Sequence, residues 1–127
     1  MTGVASRFFG TALIFAVLGM ALGLVMGITQ DHSQMPTHAH LLVIGWVSFA
    51  IWGFFYHTFP NVAAKRLASA HFWLAAASLL VLLTGLFLIF GGRPEAGEPF
   101  AAVGSMGLLG STTLFAVIAW PVVRGAA

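Results

Sequence analysis

The chain has 127 residues, 60% of them apolar and 6% charged, with a formal net charge of +2 and a mean hydropathy of +1.01. Its solvent must be mostly lipid. At about 20 apolar residues per crossing, four helices nearly exhaust the length and leave no room for a soluble domain. Cysteine is absent, which excludes disulfides, thiolate metal centres and iron–sulfur clusters, so any metal must be held by His, Met or carboxylate.

Four spans free of Lys, Arg, Asp and Glu follow one another at 8–28, 36–59, 67–90 and 100–123. The first exceeds the usual length of about 7 to 15 apolar residues in a signal peptide and has no Ala-x-Ala site after it, so it reads as helix one. Gly19, Gly23 and Gly27 form a small-residue stripe along it that permits close helix approach. Pro36 suits the first turn of helix two, and Phe59-Pro60 ends that helix. Asn61 is placed to cap helix three, which then covers 62–90. Gly91-Gly92, Pro94 and Pro99 mark the last loop, and helix four carries a second stripe at Gly104, Gly107 and Gly110. Short connections make neighbouring helices antiparallel. The expected fold is all-α, a single four-helix transmembrane bundle over residues 1–127.

Arg7, Lys65, Arg66 and Arg124 fall at one end of this bundle, while Arg93 stands alone at the other beside Asp31, Glu95 and Glu98. By the positive-inside rule both termini are then cytoplasmic, in a multi-pass protein of the cell inner membrane. The sequence pI near 10.0 reflects these anchors. No basic stripe or aromatic platform suited to nucleic acid is present, and no such partner is expected.

Chemistry concentrates in the histidines. His38 and His40 open a stretch with no formal charge between Asp31 and Lys65. An unpaired ionisable side chain within a membrane segment costs about 2.5 kcal/mol or more, so its default reading is functional. Neutral imidazole is the commonest metal ligand among side chains and the usual axial ligand of haem iron. The plainer reading is a pair of interfacial histidines bonded to water or backbone. His57 lies 17 residues beyond His40, roughly 25 Å deeper on a helix. His57 and His71 both fall near the cytoplasmic headgroups, where an imidazole can snorkel or bond a carbonyl. His32, beside Asp31, reads as a solvated loop residue. Trp46, Trp52, Phe54, Phe55 and Tyr56 read as packing or belt aromatics that could also flank a macrocycle.

His38-Ala39-His40, then Phe55-Tyr56-His57-Thr58-Phe59-Pro60, then Ala70-His71-Phe72-Trp73 together resemble the tenth and eleventh helices of the haem-copper oxidase catalytic subunit. The resemblance covers about 56 residues, from Thr37 to Arg93, and implies that the four helices match the last third of that subunit. In that family the first His of His-x-His ligates the high-spin haem and the second the low-spin haem. Outer-side arginines there pair with haem propionates, a role the resemblance implies for Arg93. The helices that supply the family's copper ligands and the second axial His have no counterpart here, so copper is not expected.

Residues i and i+2 of an α-helix point about 200° apart and differ by about 3 Å in depth. One haem cannot be gripped by both from one helix. His71 is expected at the depth of roughly residue 52 of helix two, some 18 Å from His40, so the chain offers no second imidazole at the outer level except loop residue His32. A cyclic homo-oligomer meets the need, with His38 of one copy and His40 of the next sandwiching a haem at each interface. Three copies give twelve helices, the number and pseudo-threefold plan of the subunit this chain resembles. The resulting expectation is a b-type membrane cytochrome with non-covalent haem on His38 and His40, Arg93 near its propionates, and electron transfer with an unidentified redox partner. The alternatives are a five-coordinate haem protein that binds or reduces oxygen or nitric oxide, and a haem-free accessory subunit of a respiratory complex.

Overall fold

The computed structural model describes residues 1–126 and is all-helical over them. Four helices are long and apolar enough to cross a membrane: α1 (Gly3–Thr29), α2 (Met35–Thr58), α3 (Arg66–Phe90) and α4 (Pro94–Val123). Their order and number agree with the sequence reading, but three boundaries differ for identifiable reasons. Helix α1 is longer than 8–28 and stops where Gln30 turns left-handed, at φ 58°. Its side-chain amide then donates to the Gly27 carbonyl. Helix α3 begins at Arg66 rather than residue 62, because Lys65 is extended (φ −74°, ψ 147°). Residues Pro60–Ala63 form a separate single turn, so Asn61 lies inside that turn and does not cap α3. Helix α4 begins at Pro94 and contains Pro99. Proline at the first helical position sacrifices an N–H that would be unpaired anyway, and Glu95 in the first turn complements the helix dipole.

Helix α2 is not uniform. It is α-helical over Met35–His40, widens to a π-helix over Leu41–Ser48, and returns to α-helix over Phe49–Thr58. The wider turn begins at the residue after His40, and Ser48 Oγ donates to the Val43 carbonyl five residues back (3.1 Å). Such segments are rare and tend to mark functional positions.

Two antiparallel hairpins make up the bundle. In the first, α1 and α2 close at glycines: a Cβ on Gly19 would lie 2.6 Å from Leu42, and one on Gly45 2.7 Å from Phe15. In the second, Gly85 and Gly97 bring the α3 and α4 backbones into direct contact, with Gly104 against Leu82. The stripe on α4 therefore serves partly within the chain, while Gly27 and Gly110 face open space. The hairpins lock together at the end carrying Gly3 and Val123, where Phe8 packs its ring 4.8–5.7 Å from those of Phe49, Trp52, Tyr56, His71 and Phe72. At the opposite end, Thr37 Oγ donates to Gln34 (2.6 Å), whose amide donates to the Phe87 carbonyl (3.0 Å). Large apolar side chains cover the outside, with Ile28 74%, Val17 69% and Leu109 70% exposed. A surface of this kind is suited to a lipid bilayer.

Candidate functional site

His38 and His40 sit in the last turns of α2 before the π segment, and both are half-buried. Their side chains part, as the i, i+2 spacing requires. His38 turns to α1, where its Nδ1 lies 2.7 Å from the Gly19 carbonyl oxygen. His40 folds along its own helix, with Nδ1 2.7 Å from the Pro36 carbonyl. It also opens on a groove of about 190 Å³ formed with Ala39, Val43 and Ile44. That groove shares Ile44 with a larger apolar cleft of about 480 Å³ between α2 and α4.

These two hydrogen bonds settle the chemistry of the rings. A carbonyl oxygen can only accept, so Nδ1 carries the hydrogen in each neutral imidazole and Nε2 carries the lone pair. Neither Nε2 is among the fully buried side-chain atoms that lack a partner. A ligating histidine typically donates its other N–H to a backbone carbonyl or carboxylate, which fixes tautomer and orientation and raises ligand basicity. The donor set therefore fits the axial positions of a haem iron. Among the described residues, no group of three or more His, Cys, Asp or Glu side chains converges.

Arg93 is exposed in the α3–α4 connection, in a shallow hollow with Gly92, Pro94, Glu95 and Ala96. The connection reaches the start of α2, since a Cβ on Gly91 would lie 3.6 Å from the Gln34 amide. This places Arg93 at the same end of the bundle as the histidine pair, not in contact with it. His32 is exposed, with Nδ1 3.2 Å from the Gln30 carbonyl. Beside it, Asp31 accepts the Ser33 N–H at 3.0 Å, and hydrogen bonding to Ser33 holds its carboxyl below the usual range. His57 is exposed at the other end.

His71 departs from the sequence reading. Its depth is as expected, with its ring 4.8 Å from that of Trp52, far from His38 and His40. However, it neither snorkels nor bonds a carbonyl. It is fully buried, stacked against Phe115 at 5.3 Å, and Nδ1 pairs with the Tyr56 hydroxyl at 2.9 Å. Nε2 has no partner, and neither does the buried Ser111 hydroxyl. Pattern reading missed this pair because α3 is apolar on all sides, and periodicity cannot say which face turns inward.

Over 90 residues, 67% of this chain, the sequence is 36% identical to cytochrome c oxidase polypeptide 1 of Halobacterium salinarum. The chain is a relative of haem-copper oxidase subunit I. The match spans 14% of that oxidase polypeptide, so the whole oxidase's activity does not transfer with the similarity. No family model matches the chain, and no solved structure does either. The relationship to subunit I agrees with the one drawn from His38-Ala39-His40 and the Phe55 to Pro60 and Ala70 to Trp73 segments.

Proposed function

We propose that the protein is a membrane cytochrome that binds non-covalent b-type haem through His38 and His40 and carries electrons. One observation carries this reading. Each imidazole of the pair has Nδ1 hydrogen-bonded to a backbone carbonyl, which keeps the lone pair on Nε2, the arrangement of a ligand held ready. Haem iron bound there would supply a one-electron carrier.

The remaining roles belong to this chain's own residues. Because His38 faces α1 and His40 faces the groove on the other side, one chain gives each haem one imidazole. The second comes from a neighbouring copy in a cyclic homotrimer, His38 of one subunit opposite His40 of the next. Arg93 offers a guanidinium fork to propionate at the same end of the bundle. The four basic residues at the opposite end support a reading with both termini in the cytoplasm of an inner-membrane protein. Copper has no assigned role in this reading.

The visible spectrum of the purified protein tests it. A sharp low-spin Soret and α band, with about one haem per chain on pyridine extraction, is expected because a closed ring has one interface per subunit. A broad high-spin spectrum that shifts with carbon monoxide would overturn bis-histidine ligation, and a colourless protein would overturn haem binding altogether.

A further inference from the structure

The three glycines of the α1 stripe do three different things. A Cβ on Gly19 would meet Leu42 and Leu41, the ordinary business of a helix crossing. Gly27 has nothing within 4 Å. Gly23, between them, faces a single ring: its added Cβ would lie 2.6 Å from His38 Cε1, 3.2 Å from Nδ1 and 3.4 Å from Nε2. The imidazole therefore lies on bare α1 backbone at Gly23, with Nδ1 reaching one turn back to the Gly19 carbonyl (2.7 Å). A methyl group at residue 23 would occupy space the ring now fills, and the ring would have to swing off the carbonyl. His40 has no such dependence, because its carbonyl partner, Pro36, is on its own helix.

We propose that Gly23 is a positioning residue for His38. By leaving α1 bare at that point it lets the ring lie against the helix, which fixes the tautomer and the direction of Nε2. This rests on the reading of His38 as an axial ligand. It adds that α1 sets the geometry of His38 alone, so the two imidazoles of the pair are oriented by different helices. What opposes the added methyl is the movable end of a side chain. Gly23→Ala is therefore expected to fold.

The test compares wild type, Gly23→Ala and Gly27→Ala in detergent micelles with two readouts. The first is the ¹⁵N imidazole spectrum of histidine-labelled protein freed of any haem, with His38 and His40 assigned from their alanine variants. The Nδ1–H signal of His38 should be lost or shifted in Gly23→Ala and retained in Gly27→Ala. The His40 signal should be unchanged in both, which also reports that the fold is intact. The second readout is the visible spectrum of the protein as purified, where Gly23→Ala should lose the low-spin band as His38→Ala does. An unmoved His38 signal in Gly23→Ala, or an equal shift in Gly27→Ala, would overturn the proposal. A wild-type protein without haem, but with the His38 signal displaced in Gly23→Ala, would overturn the ligand reading and leave the seat standing.

Discussion

Tyr56 and His71 form a buried polar pair whose energetics are lopsided. The Tyr56 side chain is 1% exposed and His71 is fully buried. One hydrogen bond joins them, and Nε2 is left over. Tyr56→Phe removes the only partner of Nδ1 and leaves a wholly unpaired imidazole. An unsatisfied buried polar group costs about 1–3 kcal/mol, whereas hydrogen bonds between membrane helices average about 0.6, so a loss of about 1–2 is expected. His71→Leu orphans the Tyr56 hydroxyl, but it also removes the Nε2 already unpaired in the wild type. Those terms are of similar size and opposite sign, so the expected change is within about 1 kcal/mol of zero. The double variant leaves neither member of the pair to be orphaned and should match or exceed the wild type, since replacing both partners by apolar groups of similar shape can be neutral or stabilising. Unfolding by SDS titration in mixed micelles would measure all four proteins. The reasoning fails if the two single costs simply add, to within about 0.5 kcal/mol, or if His71→Leu proves the costlier change.

Four further outcomes are expected. Arg93→Ala should weaken haem retention or lower the reduction potential, because no other basic residue lies at that end of the bundle; an unchanged redox titration and haem content would remove Arg93 from the site. Gly104→Ala should cost about 1–3 kcal/mol in the same unfolding assay, because the added Cβ would strike the Leu82 backbone. Gly110→Ala, with open space before it, should stay within about 0.5. Tyr56→Phe and His71→Leu should leave the visible spectrum unchanged, since the pair lies near Trp52, at the other end from His38 and His40.

What the sequence disclosed and what it hid divide along one physical line. Crossing a membrane requires long uncharged runs, so the four spans and their order can be read from the absence of Lys, Arg, Asp and Glu alone. The divergence of His38 and His40 was equally legible, because it follows from helix geometry and needs no knowledge of neighbours. Rotation about each helix axis was not. A helix that is apolar on all sides carries little phase information, which is why His71 was given the right depth and the wrong surroundings. The same limit kept Gly23 indistinguishable from Gly19 and Gly27 until α1 was packed against α2. The π segment at Leu41–Ser48 has no proline or charge to announce it. Pro99 was placed in a loop, but it lies inside the helix that begins at Pro94, a position that proline usually disfavours.

Sharing of ligands between chains is the central claim, and co-expression of His38→Ala with His40→Ala tests it most directly. Either variant alone should give high-spin or lost haem, because every interface of a uniform ring lacks one imidazole. A mixed trimer has one interface where the intact His38 of one subunit faces the intact His40 of its neighbour. With equal expression about three quarters of random trimers are mixed, so about a quarter of the wild-type low-spin signal should return. Mixed oligomers that form but recover no low-spin haem would contradict the shared site.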